Sequence, residues 1–167
     1  DPKTDMAEEL DAVLAKTLLD LPFVAAGGVS SLATRNLLRG QAFRLPSGEK
    51  IAARCGRDQS EIDKVSKNAA TLAKAATPAV DLSAGTPLWL YILIEGAEIG
   101  RETEPGKFDK GEGLGPVGGR IVAETLIGLP ELDGDAFLGS NRSWSPEFGP
   151  DKLGPAGVFS LLDMLTF

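Results

Sequence analysis

Ser31-Leu-Ala-Thr-Arg-Asn-Leu-Leu-Arg-Gly40 is the stretch that decides how this chain reads. Ser30 stands ready to cap a helix over residues 31–40, and Gly40 offers a stop. On that helix Leu32, Arg35, Asn36 and Arg39 recur at i, i+3, i+4 and i+7, so they share one face. The face carries a neutral amide and two guanidinium groups beside apolar side chains. It suits an anionic, largely apolar ligand, because arginine pairs with carboxylates through two parallel hydrogen bonds. The plainer alternative is a structural amphipathic helix whose arginines reach out to water.

Outward from this stretch the pattern is helical. Met6, Leu10, Val13, Leu14 and Leu18 form one apolar face that ends at Pro22. Residues 45–48 read as a turn, and residues 49–53 as a short helix. Residues 60–76 are rich in Ala, Lys and Glu and predict a longer one. Thr86-Pro87 marks a cap and a first helical position, so the apolar run 88–97 is read as a buried helix. Residues 98–113 are charged and glycine-rich and predict a long loop, with its carboxylates in water. Pro116 opens another helix over 117–127, closed by Gly128. Residues 129–157 read as a second long loop, and 159–165 as a docked apolar tail. The expected class is all-α: mainly helical, loop-rich, one segment over 1–167 with a polar arm at 1–5.

Composition excludes several functions. The chain has 167 residues, a net charge of −7 and a single cysteine, Cys55. An acidic surface repels nucleic-acid phosphates and anionic lipid, so neither is an expected partner. No apolar run approaches the length of a membrane span. One cysteine makes no intrachain disulfide or cysteine cluster, and Cys55 is expected to be a small buried side chain. There is no histidine. A Ser-His-Asp triad, a histidine zinc site and a histidine-ligated haem are therefore excluded within these residues. The glycines of Gly113-Leu-Gly115-Pro-Val-Gly118 imitate a dinucleotide loop, but a charged segment precedes them instead of a strand. They read better as a helix start with close packing. The carboxylates from Glu95 to Glu112 match no calcium-loop spacing.

Several blocks in order resemble the animal haem peroxidase superfamily, above all its bacterial haem peroxidase-like members. They are Asn36-Leu-Leu-Arg39-Gly40, Leu45-Pro46-Ser-Gly48 with Arg54-Cys55-Gly56, Thr86-Pro-Leu-Trp89-Leu-Tyr91-Ile-Leu-Ile-Glu95, Leu114-Gly-Pro-Val-Gly-Gly-Arg-Ile-Val-Ala-Glu124, and Gly134-Asp135-Ala-Phe137. The resemblance covers roughly residues 8–167 and implies the C-terminal part of that fold. It implies a haem cofactor, with Asn36 accepting a hydrogen bond from the ring of the proximal histidine and Arg39 pairing with a haem propionate. Leu32 and Arg35 would line the same face. Such a partner for an axial imidazole tunes its orientation and electron donation. Asn36 is thus the residue implied in catalysis; Arg39, Arg35 and Leu32 are those implied in cofactor binding.

The axial histidine would come from outside this chain, from an N-terminal portion or subunit of the same peroxidase-like protein. Calcium would belong elsewhere in that protein. The assembly would reduce hydrogen peroxide and oxidise a second substrate. The resemblance also favours export, and a start at Asp1 reads as processing of a larger product. Gln41-Ala42-Phe43 departs from the family's charged Arg-Asp-His stretch. The alternative is a haem-free, catalytically inactive module that keeps the fold for assembly.

Overall fold

Serine, asparagine and aspartate compete for backbone hydrogen bonds at helix ends, and apolar periodicity settles which face of each helix is covered. A computed structural model describes residues 9–141 and 143. In chain order it has α1 (Lys16–Leu19), α2 (Leu32–Ala42), α3 (Gly48–Arg54), α4 (Gln59–Ala75), α5 (Leu88–Glu98), β1 (Arg101–Glu104), β2 (Lys107–Asp109), α6 (Pro116–Leu132) and α7 (Phe137–Ser140). The architecture is mainly helical with one two-stranded antiparallel sheet. The chain divides into two units, residues 1–123 and 124–167.

In the first unit α5 is the central element, packed against α2, α3 and α4. Its apolar run is indeed a helix, as the Thr86-Pro87 signal predicts. Thr86 makes no side-chain cap, however; Pro87 is itself the capping residue. The core joins Ala52 of α3, Ile62, Val65 and Ala69 of α4, Tyr91 and Ile94 of α5, and Val117 of α6. Burying each large member contributes about 1.5–3 kcal/mol. Gly48 is fixed by this packing. A Cβ there would overlap the Tyr91 ring, so α3 and α5 approach closely only because the position is glycine. A bridge between Ser47 and Pro87 and the bond from Gly48 N–H to Thr86 C=O (2.9 Å) tie the two helix starts together.

Three expectations are corrected. The apolar periodicity over residues 6–18 does not give a long helix among the described residues. Leu10 instead donates its N–H to Gly111 C=O at 2.8 Å, and only Lys16–Leu19 is helical. Leu10 lies against Gly96, where a Cβ would come within 2.8 Å of its Cδ2. Docking of this strap wins over helical periodicity. Residues 98–113 are not all loop: β1 and β2 pair with Arg101 opposite Asp109 and Glu102 opposite Phe108, with an irregularity before Glu104. Gly106 makes the turn at φ 79° and donates its N–H to Glu102 Oε1. Finally, α6 does not stop at Gly128 but continues through Pro130.

In the second unit, residues 124–132 complete α6 and α7 follows, so the first part of the expected 129–157 loop is helical. Leu126, Leu129 and Leu132 are exposed there. The remainder of that loop, the polar arm and the apolar tail at 159–165 lie outside the described residues.

Candidate functional site

Ser31 caps α2, its hydroxyl accepting Thr34 N–H at 3.3 Å. No residue of α2 is buried. The helix runs beside α5 and leaves a cleft of about 580 Å³, within the size range of small-molecule sites. Its wall on α2 is built from Thr34, Leu37, Leu38 and Gln41, which recur at i, i+3, i+4 and i+7, with Asn36 and Gly40 alongside. Leu88 and Trp89 of α5 form the opposite side, and Arg44, Leu45 and Pro46 complete it.

The four residues singled out in the sequence divide here. Asn36 is half-buried and lines the cleft. Leu32 is half-buried, and Arg35 and Arg39 are exposed; none of these three lines it. Among the described residues neither arginine makes an ion pair. The cleft therefore faces a neighbouring stripe of the same helix.

Sequence reasoning missed Arg44, whose signal lies in the backbone and not in the residue pattern. The end of α2 is closed by two bonds, Leu45 N–H to Gly40 C=O (2.9 Å) and Arg44 N–H to Gln41 C=O (3.0 Å). This geometry calls for a left-handed residue just after the helix, a place that favours glycine. α3 obeys the rule, with Gly56 at φ 75° and the equivalent bonds from Gly56 and Arg57. α2 breaks it: Arg44 sits at φ 51°.

Comparison with protein-family models, curated proteins and solved structures finds no match.

What this site can do rests on its own chemistry. Haem needs an axial donor, and the chain has no histidine; among the described residues no group of carboxylates and thiols is arranged to hold a metal. The residues present fit the periphery of such a group rather than its iron. At the cleft they are the amides of Asn36 and Gln41, apolar walls, one aromatic ring and one guanidinium, that of Arg44. Cys55 is half-buried and free.

Two carboxylates near the core are structural. Glu95, expected in a solvated acidic segment, is instead 3% exposed. It accepts Val117 N–H and Gly118 N–H at 3.1 Å. The free N–H groups that a dinucleotide phosphate would use at the start of α6 are therefore taken by the Glu95 carboxyl. Gly115 leaves room for it, since a Cβ there would stand 2.5 Å from Glu95 Cγ. Burial pushes the Glu95 carboxyl above its ordinary range, outweighing the bonds from Gly118 and Val117 and the pull of Arg57, while Glu61 pushes the same way as burial. Glu49 accepts Thr86 N–H at 3.0 Å and the Ser66 hydroxyl at 3.1 Å. Burial acts to raise its carboxyl too, but the bonds from Thr86, Ser47 and its own backbone win and hold it low.

Proposed function

We propose that this chain is the C-terminal fragment or subunit of a haem peroxidase-like protein and contributes α2 as the helix on the proximal side of the haem. The observation that carries the reading is the state of α2. It holds Asn36 at a cleft and presents Arg35 and Arg39 without ion pairs among the described residues, while burying none of its own residues. Such a helix suits covering by a further polypeptide that brings the histidines.

When bound, haem supplies the redox chemistry that reduces peroxide and oxidises a second substrate. The residues of this chain have supporting tasks. The Asn36 amide oxygen would accept the ring N–H of a histidine brought by the other polypeptide and would leave that ring less anionic than a carboxylate partner would. Arg39 would pair with a haem carboxylate, with Arg35 and Leu32 flanking it. Asn36 is in this sense a positioning residue. The test is assembly of the full chain with the histidine-bearing polypeptide. A Soret band is expected, with Asn36→Ala altering both its spectrum and the peroxidase rate. An unchanged spectrum and rate would overturn the assignment.

One observation favours a second reading, a haem-free interaction module. Phe23 and Phe43 lie open to solvent in the same unit as α2, 77% and 73% exposed. Exposed aromatic side chains are more typical of association surfaces than of free ones. An assembled complex without a Soret band would select this reading.

A further inference from the structure

The cleft between α2 and α5 has an uneven charge. Its described lining contains no aspartate or glutamate and a single cation, Arg44, although the chain as a whole carries a net charge of −7. The neighbouring carboxylate of Glu49 is engaged by Thr86 and Ser66. Arg44 has no ion pair among the described residues. The rest of the wall is mostly apolar, with Leu37, Leu38, Leu45, Leu88 and Trp89.

Arg44 also holds its place against a backbone preference. Left-handed φ disfavours any residue with a Cβ, and the equivalent position after α3 is glycine. Local folding rules would put glycine at 44. A residue kept in an unfavourable conformation at the edge of a cleft is a pointer to a ligand.

We infer that the α2–α5 cleft binds a flat, apolar organic acid and that Arg44 pairs with its carboxylate. The apolar walls take the body of the ligand, and the amides of Asn36 and Gln41 offer hydrogen bonds at its edge. The inference shares Asn36 with the haem reading but does not rest on it, since it concerns a different arginine and needs no iron. The carboxylate is that of a free acid.

The test is calorimetric titration of the full chain with 2-naphthoate and with its uncharged isostere 2-naphthamide. Naphthoate is expected to bind roughly tenfold more tightly, the scale of one exposed charge-assisted pair. Arg44→Gly removes the guanidinium while meeting the backbone preference. It should leave the thermal midpoint equal or higher and erase the difference between the two probes. Arg44→Lys should keep part of it. Equal affinities in the unmodified chain, no naphthoate binding, or a difference that survives Arg44→Gly in a folded variant would each overturn the inference. Haem assembly can fail while the naphthoate preference holds, so the two proposals fall separately.

Discussion

Glu95 and Glu49 are both partly or wholly withdrawn from water, yet the balance of burial against hydrogen bonding differs between them. The Glu95 carboxyl is raised, so its folded form binds a proton more readily than the unfolded chain, whose ordinary value is 4.5. Its contribution to stability is fully present below that value and is lost as pH rises through the raised folded one. Glu49 is lowered, so its contribution is present above 4.5 and is lost as pH falls through the lowered value. Glu95→Gln should therefore flatten the fall in unfolding free energy on the alkaline side of 4.5, and Glu49→Gln should flatten the fall on the acid side. Denaturant titrations across pH on the two variants check the signs. Glu95→Leu removes the acceptor altogether. It leaves the N–H groups of Val117 and Gly118 without their partner and should cost about 2–4 kcal/mol. The buried-helix reading of 88–97 places Glu95 in that element but does not reveal its partners, because the N–H groups of Val117 and Gly118 arrive from more than twenty residues away in the chain.

At the scale of elements, α6 carries two glycines of opposite meaning. A Cβ at Gly118 would come within 2.6 Å of Ile92 Cγ2, whereas one at Gly128 would meet nothing within 4 Å. Gly118→Ala forces α5 and α6 apart and should cost about 1–3 kcal/mol. Gly128→Ala lies in a helix interior with open space and should gain about 0.5–1 kcal/mol. Chemical denaturation of each variant reads the difference, and a loss at Gly128→Ala would contradict the helix there. The same contrast explains what the sequence made legible. The presence of α2, α4 and α5 follows from local caps, spacing and composition, although Ser31 rather than Ser30 caps α2, α2 runs past Gly40 to Ala42, and Pro87 rather than Thr86 is the cap of α5. The end of α6 did not, because Gly128 and Pro130 are strong local stops that a continuing helix overrides. The hairpin at 101–109 was hidden because its strands are short and charged, β1 is exposed throughout, and neither shows the apolar alternation that announces a strand. At the cleft, Asn36 was legible from helical spacing. Arg44 was not, since its importance lies in a backbone angle rather than a residue pattern.

For the molecule as a whole, the uneven distribution of apolar surface bears on how the chain would work. The first unit has a core of its own around Tyr91 and Val65, so its stability does not depend on α2 being covered. Leu37 and Leu38 are 38% and 48% exposed on that helix. Replacing both with glutamate puts charge at positions that the described residues cover only in part. The isolated chain should lose no more than about 0.5 kcal/mol per site, the usual range for surface positions. Assembly should respond differently. A covering polypeptide would have to desolvate two carboxylates beside apolar walls, at several kcal/mol if they stay charged and unpaired. The double variant should therefore keep its thermal midpoint while losing co-purification with the histidine-bearing polypeptide that the haem reading proposes. Naphthoate affinity should fall as well, because the added negative charge sits in the same cleft as Arg44. A variant that assembles normally would show that the covered face is another one. A variant that unfolds would show that α2 contributes more to the core than its exposure implies. Circular dichroism followed by co-purification distinguishes these outcomes in one preparation.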